Sequence, residues 1–346
     1  THDTIAYFLA KNIAKVEAHV IGSSFDCNDV VRHKKKTYQA FEKHPFCPLV
    51  YDPNESLSFP VYMKPNDSQG GKGNVLINNS EALKFYSNEN DGNIICEYLP
   101  GKELSIDCFT NYQGQLQFVG ARTRERVQMG ISFRSASEEV SDEIKHIANT
   151  INETIIPNGS WFFQVKKDKN GRYKLLEIAC RQASTMGVYR ANGINFALLS
   201  FFNAQKIPTT ISDNKLEVVL DRCLYNRFRL NLDYQSVYID FDETIHDQKL
   251  VYPIVMAFLY QLKNENKKVI LLTKHEKSLY ESLSRFAISK NLFDAIFHLK
   301  PDENKYQFIS EPNAIFIDNC YHERESVRKF CNIPVYDVDA IEMLLN

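Results

Sequence analysis

Leu175-Leu176-Glu177-Ile178-Ala179-Cys180-Arg181 is the stretch on which the reading of the first half of the chain turns. A glutamate set among leucines and an isoleucine is too apolar in its surroundings for an ordinary exposed strand position. Residues 161–165 and 173–178 read as a hairpin about the turn Lys169-Asn170-Gly171. On neighbouring strands of that hairpin Gln164 and Glu177 face each other. Two oxygen-bearing side chains suit Mg²⁺, which takes oxygen ligands and keeps phosphate company.

Working outward, an apolar strand at 59–63 runs into Lys64-Pro65-Asn66-Asp67-Ser68-Gln69-Gly70-Gly71-Lys72-Gly73. Lys64 puts a fixed positive charge at a strand end. Gly70, Gly71 and Gly73 let backbone N–H groups approach phosphates. There is no G-x-x-x-x-G-K-[ST] P-loop, and alone the stretch reads equally well as a Gly-rich hairpin turn. A second strand, 94–98, leads into Glu97-Tyr98-Leu99-Pro100-Gly101-Lys102-Glu103, which can offer backbone groups to an adenine edge and Glu103 to ribose hydroxyls. Around these lie a lysine-rich helix at 34–41, paired strands at 104–110 and 116–119, and an apolar helix at 194–203. Another helix is capped by Ser141, with Ile144, Ile147, Ala148 and Ile151 at helical spacing.

The order of these motifs resembles the ATP-grasp superfamily over roughly residues 1–205, in particular the carboxylate–amine ligases related to the carbamoyl-phosphate synthase large subunit. That resemblance implies the end of a preceding α/β domain at 1–30 and the ATP-grasp domain at 31–207, most of the preceding domain being absent. It implies that ATP is held by Lys34, Lys64, the glycine loop and Glu97 to Leu99 with Glu103, and Mg²⁺ (or Mn²⁺) by Gln164 and Glu177. Arg122-Thr123-Arg124-Glu125-Arg126 with Gly130 corresponds to a substrate-side basic loop, so Arg124 and Arg181 would hold the acid or stabilise the transferring group. In the family's E-[IV]-N-P-R signature the metal-binding asparagine is Ala179 here and the proline is Cys180. Either the second metal is held differently or the site is weakened.

Beyond Lys206-Ile207-Pro208 the character changes. Residues 208–234 read as a mixed strand and connector region, and 235–346 as strands at 237–240, 269–273 and 314–318 alternating with helices at 253–264 and 276–290. Such alternation implies a parallel sheet, whose ligands sit at the carboxyl ends of the strands. Those ends carry Asp240-Phe241-Asp242-Glu243-Thr244, Thr273 and Asp318. Asp240 and Asp242 can act as nucleophile and general acid while sharing a Mg²⁺. Thr273 can donate to a phosphoryl group, Lys305 can neutralise its charge, and Asp318 can bind the metal. Lys300 competes for the lysine role, which Lys305 suits better at the start of an amphipathic helix. Asn319 and Glu323 are auxiliary candidates, and His275, His298 and His322 read as surface or supporting polar residues.

This D-x-D-x-T, Thr, Lys, Asp order resembles the haloacid-dehalogenase-like (HAD) phosphatases, with room for only a minimal cap. The expected fold class is therefore α/β and α+β, multidomain: an ATP-grasp fold followed by a small Rossmann-like domain.

The 41 basic and 43 acidic residues argue against a nucleic-acid binder working by bulk charge. No apolar run is long enough to span a bilayer. The eight cysteines form no C-x-x-C pair and read as reduced thiols of a cytoplasmic protein. The expected partners are small-molecule acid and amine substrates and a phosphorylated metabolite, without nucleic acid or membrane; self-association stays open.

Overall fold

The computed structural model describes residues 2–53, 55–68, 70–88, 92–128, 130–224 and 228–345. The chain divides into two units, Thr1–Leu224 and Tyr225–Asn346. Each has its own buried apolar clusters.

The first unit opens with helices α1 (Asp3–Lys11), α2 (Phe25–Arg32) and α3 (Lys34–Phe41). Next come β1 (Val50–Tyr51), β2 (Val61–Pro65), β3 (Val75–Ile77), α4 (Ser80–Asn88) and β4 (Asn93–Glu97). A longer run follows: β5 (Glu103–Thr110), β6 (Leu116–Thr123), β7 (Arg126–Gln128), β8 (Ile131–Glu138), α5 (Asp142–Ile155), β9 (Gly159–Lys167) and β10 (Tyr173–Ala179). The unit closes with α6 (Val188–Ala191), α7 (Phe196–Ala204) and β11 (Val219–Asp221). One antiparallel sheet has the order β1-β4-β2-β3; a second has the order β10-β9-β5-β6-β8-β11, with β7 also on β8.

Local chemistry accounts for these elements. Ser141 Oγ accepts from Ile144 N at 3.3 Å, so α5 starts where its cap allows. Its Ile144, Ile147, Ala148 and Ile151 then bury against the larger sheet. Trp161 is fully buried, and its indole N–H donates to Thr110 Oγ1 at 2.8 Å. On β5 Asp107 stands between Ile106 and Cys108 in a strand buried along almost its whole length. Arg122 of β6 answers it, with Nε 2.7 Å from Asp107 Oδ2 and Nη2 3.0 Å from Oδ1. Both residues are almost wholly buried. Burial pushes the Asp107 carboxyl up, and the Arg122 guanidinium pulls it back.

The second unit runs β12 (Ser236–Ile239), α8 (Pro253–Asn264), β13 (Lys268–Thr273), α9 (Leu279–Arg285), β14 (Ala295–His298), β15 (Ala314–Ile317), α10 (Tyr321–Cys331), β16 (Val335–Tyr336) and α11 (Ile341–Leu344). Its sheet is wholly parallel, in the order β14-β13-β12-β15-β16. Apolar residues fill both faces of the central strands, as covering on both sides requires.

Several expectations are corrected. The strand expected at 59–63 is β2, Val61–Pro65. The helix expected over 276–290 is only α9, because Ser278 caps it at Glu281 N and Ala287 takes a positive φ of 55° after its end. Lys305 opens a four-residue 3₁₀ turn, Lys305–Phe308, and no longer helix. The strand content expected in 208–234 is present as β11, which pairs with β8 of the larger sheet. Strands β14 and β16 widen the parallel sheet beyond the three anticipated. No helix of the described residues is long and apolar enough to cross a membrane.

Replacing Arg122 with Met strands a buried carboxylate. Urea unfolding followed by the single Trp161 should show a loss of about 3–5 kcal/mol, recovered in large part when Asp107→Leu is added. A loss below about 1 kcal/mol would refute this account of the pair.

Candidate functional site

The first site grows from the start of α3. Lys34 is buried, and its backbone N–H donates to Asn66 O at 3.1 Å. Its Nζ donates to Ser68 O at 2.8 Å, so helix and post-β2 loop are tied together. Burial lowers the Lys34 pKa, opposed by the charge of Glu177 and assisted by Lys64 and Arg32. Lys64, buried on β2, donates to the Tyr38 hydroxyl, which in turn donates to Leu176 O on β10 at 2.9 Å. Glu177 pairs in register with Gln164 across β10 and β9, just past a register shift between Leu175 and Glu177. Burial raises the Glu177 pKa, opposed by Lys34.

Lys34, Gln164 and Glu177 meet at a cavity of about 570 Å³, with Gly70, Ala179 and Arg181 also in its lining. Arg122 and Arg124 line it too. Arg124 Nε lies 2.7 Å from Glu103 Oε1, and its Nη2 donates to Gly130 O at 3.0 Å. Arg181 makes a fork to Asp3, at 2.6 and 2.7 Å. Gly70, Gly71 and Gly73 all have positive φ. A Cβ on Gly130 would fall into the backbone of Gly70, so the basic loop and the glycine loop are in backbone contact.

Lys64, Gly71, Gly73, Glu97, Tyr98, Leu99 and Glu103 do not line this cavity. Glu97 Oε1 instead accepts from Leu49 N at 2.9 Å, and Leu99 is buried. Gln69 of the glycine-rich stretch and Thr1 of the expected preceding-domain segment 1–30 lie outside the described residues. Ala179 lies on the same face of β10 as Glu177 and offers no metal ligand. Among the described residues no group of three or more His, Cys, Asp or Glu side chains is arranged to hold a metal. Mg²⁺ needs only one or two protein ligands when phosphate oxygens and water complete its shell, so Gln164 and Glu177 fit a metal–nucleotide complex.

The second site lies within the other unit, at the carboxyl ends of adjacent parallel strands. Lys305 Nζ sits 2.6 Å from Asp240 Oδ1 and 2.6 Å from Asp318 Oδ2. All three residues are buried. Against the opposing effect of burial, Asp240 and Asp318 raise the Lys305 pKa. Burial and then the Asp240 charge push Asp318 up to about 6, opposed by Lys305. Lys300 is exposed and Lys305 holds the bridging position. Thr273 is buried at the end of β13. Thr244 Oγ1 is 3.4 Å from Asp240 Oδ2 and accepts from Asn319 N at 3.1 Å. Glu323 is paired with Lys274 at 2.7 Å, and His322 is exposed.

Sequence reasoning missed Asp107 and Asp3 as partners of the site arginines, and His246 and His275 as partners of Asp242. Asp107 had a signal: a carboxylate between Ile106 and Cys108, with Phe109 beyond, calls for a buried cation on a neighbour. Asp3 had none, being 178 residues from Arg181.

Residues 89–219 match a family described as ATP-grasp in the biosynthetic pathway with Ter operon. The arginine-specific carbamoyl phosphate synthase large chain of Bacillus subtilis is 26% identical over 202 residues. That match covers 52% of this chain but only 19% of the Bacillus protein. The fold is similar to Staphylococcus aureus N5-carboxyaminoimidazole synthetase complexed with ADP: TM-score 0.53, 18% identity, 64% of this chain and 63% of that one. It is also similar to the biotin carboxylase domain of Hydrogenobacter thermophilus 2-oxoglutarate carboxylase complexed with MgADP and bicarbonate: TM-score 0.52, 13% identity, 61% and 54%. The first unit has the ATP-grasp fold.

The Gly130–Gly70 contact is testable by itself. Gly130→Ala combines a strained positive φ with a backbone clash and should cost about 1–3 kcal/mol, with faster amide exchange in residues 66–73. Unchanged exchange there would refute the contact.

Proposed function

We propose that the first unit joins a small carboxylic acid to an amine at the expense of ATP. The observation that carries this reading is the convergence of Lys34, Gly70, Gln164 and Glu177 on one cavity of an ATP-grasp fold. A carboxylate oxygen attacks the γ-phosphorus and the bond to the bridging oxygen of ADP breaks, leaving an acyl phosphate. The amine then attacks the acyl carbon, loses a proton and displaces phosphate. Lys34 and Lys64 offset phosphate charge, the glycine loop supplies backbone N–H groups, and Arg124 and Arg181 orient the acid. Mg²⁺ held with Gln164 and Glu177 would neutralise further phosphate charge.

The second unit, on this proposal, is a HAD-like phosphatase. Asp240 is the nucleophile, Asp242 the general acid, and Thr273 and Lys305 bind the phosphoryl group; Asp240, Asp242 and Asp318 would hold Mg²⁺ only together with phosphate oxygens and water, because among the described residues no three carboxylates are grouped to hold it alone. The support is the Lys305 bridge between Asp240 and Asp318 at parallel strand ends. The pair of activities would serve small-molecule biosynthesis in the cytoplasm, a phosphorylated metabolite being the second unit's substrate.

Ala179 favours one alternative: a first unit that binds ATP for regulation without turnover, attached to an active phosphatase. Mg²⁺-dependent ADP formation with pooled amino acids and small carboxylates separates the readings. Acid-dependent ADP is expected, with Lys64→Ala weakening nucleotide binding about 10- to 100-fold. ATP binding without ADP, gained only on Ala179→Asn, would favour the regulatory reading. In the second unit, Asp240→Asn should abolish phosphate release from an aryl phosphate and leave ATP binding unchanged; persistent release would refute its role.

A further inference from the structure

Helix α3 contributes to two cavities of the first unit. Lys34 and Thr37 line the one already described, whereas Lys35, Tyr38, Gln39 and Glu42 line a second of about 840 Å³. Those four recur at helical spacing and so share one face of α3. Among the described residues none lines both cavities. The other walls of the second come from the segment 43–51, from Asn93 to Ile95 of β4 and from Lys174 of β10.

Its volume suits a drug-sized molecule. Much of its lining is apolar, with Pro45, Pro48, Leu49, Val50 and Ile94 in it. Leu49 and Val50 are also exposed, so an apolar occupant would take them out of water. The charge of the lining is one-sided. Lys174 is already committed: its Nζ donates to Pro45 O at 2.8 Å and lies 3.6 Å from Glu97 Oε1. Lys35 and Lys43 are exposed and pair with no acid among the described residues, and Glu42 is the one acid among the described lining residues. An apolar body carrying one anionic group complements such a cavity.

Tyr38 joins this cavity to Lys64. Its ring belongs to the cavity wall, while its hydroxyl accepts from Lys64 and donates to Leu176 O at 2.9 Å. Lys64 Nζ also lies 4.9 Å from the centroid of that ring. Ile94, in the same wall, is the register partner of Lys64 across β4 and β2.

We propose that the second cavity binds a small apolar organic anion of the carboxylate or sulfonate type, and that its occupancy tightens nucleotide binding to the first unit. The coupling, though not the site, rests on the ATP reading above. A molecule packed against the Tyr38 ring keeps that ring from swinging into the cavity. The hydroxyl then stays on Lys64, and the lysine is held in place before phosphates arrive. Linkage makes the effect reciprocal, so the nucleotide tightens the anion by the same factor.

Titration of the full chain with 8-anilinonaphthalene-1-sulfonate, an apolar monoanion that fluoresces when it leaves water, tests both parts. The double variant Lys35→Glu, Lys43→Glu should weaken the probe about tenfold, and Leu49→Glu by about as much. All three side chains are exposed, so these substitutions leave the core intact. Mg²⁺ with ATP should tighten the probe about fivefold in the wild-type protein. Tyr38→Phe, which keeps the ring and loses the hydroxyl, should retain the probe and lose that response. Equal probe affinity in the wild-type protein and the charge variants, or displacement of the probe by ATP, would overturn the site. ATP that binds in equilibrium dialysis yet leaves the probe affinity unchanged would overturn the coupling alone. ATP that does not bind would overturn the nucleotide reading and the coupling with it, while the charge variants would still decide the site.

Discussion

A charge taken out of water persists only where an opposite charge and hydrogen bonds replace the solvent, and both units are organised around that constraint. In the first, Arg122 is forked to Asp107 inside the larger sheet. In the second, a single lysine bridges two buried carboxylates. Arg122 and Asp107 need β6 and β5 in fixed register, and the Asp240 and Asp318 that Lys305 bridges need β12 and β15 in theirs, because a slip of one residue would turn a strand's side chains to the opposite face. The charged groups thus depend on the sheets, and their placement specifies the sheets in return.

Three of the arginines that line the first cavity are paired with carboxylates, while Arg32 donates to the Asp67 carbonyl. Arg122, Arg124 and Arg181 contact Asp107, Glu103 and Asp3. Lys34 has no such carboxylate contact at bonding distance and holds loop carbonyls instead. The cavity therefore keeps the charge of Lys34 and Arg32 on the glycine-loop side, while Arg122, Arg124 and Arg181 offer oriented donors whose charge is already offset. A phosphate chain suits the former, and a carboxylate to be oriented suits the latter. Ala179 sets the limit on this arrangement, since the face that carries Glu177 has no second oxygen ligand where the resembling family has one.

Much of this was legible in the residues. Apolar runs ending in Asp240, Thr273 and Asp318 announced a parallel sheet with chemistry at its rim, and the structure puts these residues at adjacent strand ends. The hairpin that sets Gln164 against Glu177 followed from its turn and its alternation. The choice between Lys300 and Lys305 rested on an expected helix that does not form; burial of Lys305 between the two carboxylates supplied the actual reason. The extent of α9 was overestimated because helical spacing carries no information about where a cap begins or a left-handed residue stops it.

By itself the sequence determined the element types, the two constellations and their order, because periodicity, turn residues and strand-end polar residues are local properties of the chain. The tertiary structure alone decided which polar groups pair: Asp3 with Arg181, Asp107 with Arg122, His275 with Asp242. Those pairings join residues 15 to 178 positions apart. They are chosen by packing and desolvation, which no local pattern encodes.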